Sequence, residues 1–436
     1  MVRYKAPLRE YEFILREVLQ IENELGSYPE YSEATWDMIE MISEQFGKIS
    51  EDYWLPSAKE GDEVGVIFDE GKVIVPNSMK EATNVVIEAG LTQLFGHQEY
   101  GGMEFPNVIN VLSDEMSCAS NMSLGIYLGL TKGAYHCIHK HGSKKIRKTY
   151  LPKFLSGEWF GTMCLTEAHC GTDLGLIRTT SNPKEDAYLI NGQKIFISCG
   201  EHDMGDNIIH LVLARLPNAP KGVKGISLFL VPKYKVNDDG TLGEHNNVNC
   251  VSIEDKMGVH GSATCVMSFE NSEGYLIGEP NEGLAAMFSM MNTERIAVGL
   301  QGLGQAEIAY QNALAYAKDR IQGRDLKGPK NPDDEADPLI VHPDVRRMLL
   351  RSKALIDSGR MLACWTALSI DKSEKDPDPQ VRKENGDLVE LMTPIIKALL
   401  TDYGVEITSE MMQIFGGHGY IKEYGMEQFY RDVRIA

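Results

Sequence analysis

Met163-Cys164-Leu165-Thr166-Glu167-Ala168-His169-Cys170-Gly171-Thr172-Asp173 joins a helix-patterned region to a β-patterned one. Hydroxyls, glycine and turn-forming residues are concentrated at this junction. Gly171, followed by Thr172 and Asp173, can offer free backbone N–H groups and hydroxyls to an anion or to the edge of a heterocycle. In isolation the same residues would serve equally well as an ordinary inter-domain loop. The patterns on either side decide what it joins.

Upstream, residues 11–25 place Phe13, Ile14, Val18, Leu19 and Ile21 at helical spacing, with Gly26 as a stop. Residues 32–47 repeat the pattern around Trp36, Ile39, Ile42 and Phe46, and 78–94 and 105–130 predict further helices. His136, His139 and His141 cluster, but no carboxylate stands among them to complete a ligand set, so no metal is expected.

Downstream the period changes. Residues 188–198 read as two short strands around Asn191-Gly192, a strong hairpin signal, and 207–216, 225–232 and 251–270 add apolar strands. Many short strands with turns predict a small barrel or sandwich. Helical spacing returns over 284–320, 345–370 and 388–415, with a Pro- and Asp-rich connection at 325–343. Gln413-Ile414-Phe415-Gly416-Gly417-His418-Gly419-Tyr420 ends the last of these with glycines suited to capping and to close approach of a ligand. The expected fold is α+β in three parts. These are an N-terminal helical domain (1–160), a middle β-barrel domain (161–280) and a C-terminal helical bundle (281–436), the last expected to be incomplete because its pattern halts at Ala436.

Composition narrows the function classes. With 43 basic and 63 acidic residues the net charge is −20, which disfavours nucleic acid and an anionic membrane as partners. The eight cysteines show no C-x-x-C pair and read as free thiols in a reducing compartment. The opening is polar and no apolar run is long enough to span a bilayer, so the expected location is the cytoplasm.

Four motifs in order, Cys164-Leu165-Thr166-Glu167 with Gly171-Thr172-Asp173, Asn191-Gly192-Gln193-Lys194 with Phe196 and Ser198, the 413–419 segment, and Arg431-Asp432, resemble the acyl-CoA dehydrogenase family over nearly the whole chain. Tyr4-Lys5-Ala6-Pro7-Leu8 and residues 291–304 look most like the branch containing the 3-methylmercaptopropionyl-CoA dehydrogenases, which act in dimethylsulfoniopropionate degradation. The resemblance implies an oxidoreductase that removes an α-proton from an acyl-CoA while the β-hydrogen leaves as hydride to FAD. Electrons would then pass to electron-transfer flavoprotein. It implies flavin contacts from Met163, Leu165, Thr166, Thr172, Phe196 and Ser198. It also implies that Arg320 reaches the FAD of a neighbouring subunit, where a guanidinium suits pyrophosphate, and that Gln413 and Gly417 belong to the segment receiving that FAD. A homodimer or homotetramer follows. Thr172, Asn292 and Arg295 are the implied substrate contacts.

The base is the open point of the resemblance. In much of the family it is a Glu in a Tyr-Glu-Gly-Thr stretch just after the Arg-Asp segment, which would fall beyond Ala436, so a C-terminally truncated chain is expected. A minority place the base on the helix that here carries Thr293-Glu294-Arg295, and Glu294 aligns with it. A helical Glu beside Arg295 could equally be paired or solvated. Alternatives to the dehydrogenase are an acyl-CoA oxidase, a catalytically silent form that binds flavin and acyl-CoA, and a non-dehydrogenating relative that binds a ligand or DNA, the last opposed by the charge.

Overall fold

The computed structural model describes residues 2–436, apart from the side chain of Asn292. The N-terminal third is helical: α1 (Trp36–Ile49), α2 (Asn77–Glu88), α3 (Asn107–His141) and α4 (Lys144–Leu155). The helix expected at 11–25 is interrupted at Gln20, whose φ of 49° turns the chain so that Leu15 and Ile21 both reach the core. Helix α3 is longer than expected and has non-helical backbone at Asn121 (φ −153°, ψ 91°). The Asn121 amide donates to Ser57 Oγ at 2.9 Å and its Oδ1 accepts from Leu124 N at 3.2 Å, capping the second half. The amino end of α3 is capped from a distance. Asp371, buried, accepts from the backbone N–H of Asn107 at 2.7 Å and of Val108 at 3.2 Å.

The middle third is β1 (Trp159–Cys164), β2 (Thr180–Lys184), β3 (Ala187–Ser198), β4 (Asn207–Ala214), β5 (Ser227–Pro232), β6 (Val248–Ile253) and β7 (Thr264–Ile277). The order across the sheet is β1-β4-β5-β7-β3-β2, with β6 also on β7; only β1 and β4 run parallel. A bridge from Thr180 to Arg215 carries the far edge back toward β4, so the sheet curls on itself. Strands β4 and β5 are buried along their whole length, as their continuous apolar runs require.

The expected hairpin at Asn191-Gly192 is not there. β3 runs through both residues as one strand of 12, paired along most of its length with β7. A Cβ at Gly192 would lie 2.5 Å from Thr179 Oγ1, so glycine serves close approach rather than a turn. The Asn191 amide donates to Asn271 Oδ1 at 3.0 Å across the ladder. The true hairpin is β2–β3, turning at Glu185 with φ of 51°.

The C-terminal third is α5 (Gly283–Asp319), α6 (Pro343–Lys375), α7 (Pro379–Ile414) and the short α8 (Met426–Val433). Among the described residues no helix is long and apolar enough to cross a membrane.

Two buried histidines of the β region give the fold an acid sensitivity. Burial, and then Lys233, pushes His202 and His210 down to about 3. Both are therefore neutral when folded, yet titrate near 6.5 when unfolded. The unfolded chain takes up the extra proton below that value, so the stability tied to each is intact above pH 6.5 and is lost as pH falls toward 3, at about 1.4 kcal/mol per unit. His210→Gln leaves the neutral fold weakened but removes this term. Relative to wild type the variant should gain about 2 kcal/mol between pH 7 and 5 in thermal unfolding. Parallel curves for the two proteins over that range would disprove the account.

Candidate active site

The junction loop is held by a charge pair that links two of the sequence motifs. Lys194, with none of its side chain exposed, donates to Glu167 Oε1 at 2.9 Å and to the carbonyl of Leu165 at 2.9 Å. Glu167 also accepts from Arg178 N, Thr179 N and Thr179 Oγ1, and its carboxyl is held below the usual range: burial would raise it, but Lys194 and these donors prevail. Ile195 N donates to Thr166 O at 2.9 Å, so β3 and the loop run side by side. His169 and Cys170 bring potential ligand atoms to Glu167, all within 4.8 Å of one another; three donors converge on Glu167 Oε1 and one, Arg178 N, on Oε2.

Beside this loop lies a cavity of about 250 Å³. Met163 at the end of β1 and Ser198 at the end of β3 line one side; Glu294 on α5 lines another, with Asp114 and Lys132 from α3. Glu294 fits because residue 133 is glycine. A Cβ there would stand 2.5 Å from Glu294 Oε1. That oxygen is buried and has no protein hydrogen-bond partner. Burial raises the Glu294 carboxyl to about 7, Lys132 drawing it down and Asp114 adding to the rise. Lys132 and Asp114 form an ion pair. Neither stood out in the sequence, since they are 18 positions apart on α3 and meet only because it breaks at Asn121.

The remaining expected residues fall into two groups. Leu165 is buried in the core, Thr166 is half-buried, and Thr172 and Phe196 are exposed. Phe196 has 59% of its surface uncovered and φ of 58°, an apolar ring held out at the strand end next to Ser198. An uncovered ring, hydroxyls and a cavity mouth together suit a planar heterocycle. Arg320, Gln413 and Gly417, all exposed, form the second group at the carboxyl ends of α5 and α7. Tyr316 ties those ends together, stacking on Phe415 at 4.0 Å and bonding His418 Nδ1 at 2.8 Å. Arg295 lies with its guanidinium 5.8 Å from the Phe288 ring centre; the Asn292 side chain lies outside the described residues.

The Arg431-Asp432 motif is a staple between the three regions. Arg431 pairs with Asp62 at 2.6 Å and Asp432 accepts from Val259 N at 2.6 Å. A Cβ at Gly258 would sit 2.6 Å from that Asp432 oxygen, which explains the glycine.

Family models of acyl-CoA dehydrogenases match in the same three parts: N-terminal domain over residues 37–158, middle domain over 162–272 and C-terminal domain over 281–436. The chain belongs to the acyl-CoA dehydrogenase family. It is 42% identical to the 3-methylmercaptopropionyl-CoA dehydrogenase of Ruegeria pomeroyi over 433 residues, covering 99% of this chain and 73% of that protein. The solved butyryl-CoA dehydrogenase from Megasphaera elsdenii superposes with a TM-score of 0.73 at 25% identity, covering 92% of this chain and 94% of that one. A chain from a structure described as the electron transferring flavoprotein of Acidaminococcus fermentans gives a TM-score of 0.74 at 27% identity, covering 92% and 93%. Members are flavoproteins, so this acyl-CoA dehydrogenase is an oxidoreductase with a flavin as its implied cofactor.

Proposed function

We propose that the protein carries out FAD-dependent α,β-dehydrogenation of a short or medium acyl-CoA, with 3-methylmercaptopropionyl-CoA the first candidate, and passes electrons to an electron-transfer flavoprotein. The observation that carries this is the shared cavity. Met163 and Ser198, on the side where the resemblance puts the flavin, face the same space as Glu294, a half-buried residue whose Oε1 is buried and has no hydrogen-bond partner. When bound, FAD would accept the β-hydrogen as hydride. Glu294 takes the α-proton: its carboxyl, raised to about 7, is strong enough as a base and still ionised in part at neutral pH. Ser198 can donate a hydrogen bond to the flavin edge, Phe196 can pack on it, and the half-buried Met163 closes the cavity on that side. A space of about 250 Å³ holds a short or medium chain, about eight times the roughly 30 Å³ share of one water. The substrate assignment is supported by the Ruegeria pomeroyi relative, and the partner by the neighbour from the flavoprotein structure.

The exposed set Arg320, Gln413 and Gly417 supports a homo-oligomer in which one copy completes the FAD site of another. Three domains, 1–160, 161–280 and 281–436, then form one working unit, with the site where they meet. The test is anaerobic mixing of flavin-loaded protein with 3-methylmercaptopropionyl-CoA, butyryl-CoA and longer straight-chain acyl-CoAs. Loss of the flavin's visible band is expected with the short substrates. Retained flavin and no bleaching by any of them would sink the reading, and rapid peroxide formation in air would assign an oxidase instead.

A further inference from the structure

We propose that Lys132, anchored by Asp114, is a positioning residue for Glu294, keeping that carboxylate ionised in a cavity whose apolar walls would otherwise hold it neutral. The geometry carries the assignment. Asp114 lies in the first half of α3 and Lys132 in the second; the break at Asn121 folds one against the other. Both side chains line the 250 Å³ cavity and also a second one of about 840 Å³, so the pair stands in the wall between them. Gly133, next in sequence to Lys132, is the point at which the Glu294 carboxyl meets α3.

The chemistry requires such a cation. A buried carboxyl with no donor favours its neutral form and cannot take a proton. An ammonium has three donors and Asp114 takes one, leaving Lys132 two N–H groups and a charge beside Glu294. Asp114 in turn pairs with Lys132, whose side chain is only 9% exposed, and fixes where it points. The other groups facing Glu294 are the thiols of Cys118 and Cys199, both kept protonated by burial, and Arg295 adjoins it on its own helix. Burial raises Glu294, Asp114 raises it further, and Lys132 is the cation that opposes both.

The reading rests on Glu294 as the base only for its effect on rate, so the experiment observes the carboxyl itself. The Glu294 band is followed by infrared difference titration of the flavin-loaded protein, with E294Q identifying the band by its loss. An opposite charge within about 4–6 Å moves a carboxyl by about 1–3 units. K132M should therefore titrate at least about one unit above wild type, and K132R, which keeps the cation, should return close to it. D114N both removes a negative neighbour and releases the ammonium, two opposed effects, so the lysine variants carry the test. An unshifted band in K132M overturns the proposal; if K132M does not retain flavin, K132Q takes its place and an unshifted band there does so. A shifted band in K132M with an unshifted pH profile for flavin bleaching would uphold the role of Lys132 and discard Glu294 as the base.

Discussion

Glu294→Gln is expected to slow substrate-driven flavin bleaching by about two to four orders of magnitude while flavin and acyl-CoA remain bound, the range that a positioned base contributes. Glutamine keeps the shape of the side chain, so Gly133 still accommodates it. What is lost is the ability to accept a proton. In the wild type the carboxyl is raised to about 7, so bleaching should climb with pH up to about that value and level off above it. The climb must vanish in the variant. Near-normal bleaching by Glu294→Gln would remove this residue from the chemistry and require another base for the α-proton.

Arg360→Met should produce the largest loss of stability of any single change considered. Arg360 is wholly buried between Glu115, to which Nε donates at 2.9 Å and Nη2 at 2.5 Å, and Glu307, reached by Nη2 at 2.8 Å. Its guanidinium also lies 5.5 Å from the ring centre of Tyr11, so the cluster binds the N-terminal segment, α3, α5 and α6 together. Methionine fills much of the volume but leaves two buried carboxyls without their cation. Removing one partner of such a cluster costs about 3–5 kcal/mol. With an unfolding entropy of about 2.1 cal/mol/K per residue, that lowers the melting temperature of a chain of 436 residues by about 3–6 °C. Arg360→Met with Glu115→Met should recover part of the loss, since the uncompensated charge rather than the lost contact dominates. A melting temperature within 1 °C of wild type would show that this network contributes little.

The site and the scaffold differ in how far the sequence reveals them. Helix α1 announces itself through apolar residues at a period of 3.6, because it buries one face, whereas α5 is buried all round over residues 299–309 and shows as a long apolar and small-residue run. Strands β4 and β5 show as apolar runs because both their faces are covered. Asn191-Gly192 misled because the dipeptide reports only that the backbone must be unencumbered; whether it turns or passes close to Thr179 is decided by the neighbouring strand. Motif order singled out Met163, Phe196 and Ser198, of which Met163 and Ser198 line the cavity, whereas nothing singled out Asp114 and Lys132. Nothing in a run of helix-forming residues signals that a break at Asn121 will fold the two halves together.

By itself, then, the sequence determined the succession of helical, β and helical regions, the net charge of −20, and the family to which the motifs belong. These follow from local periodicity, net charge and short-range pattern, which are properties of neighbours in the chain. Only the tertiary structure decided that Lys194 is spent on holding Glu167, that Arg431 and Asp432 join three regions, and that Glu294 faces Met163 and Ser198 across one cavity beside Lys132. Burial and charge proximity set what a titratable group can do, and both arise from residues distant in sequence that packing brings together.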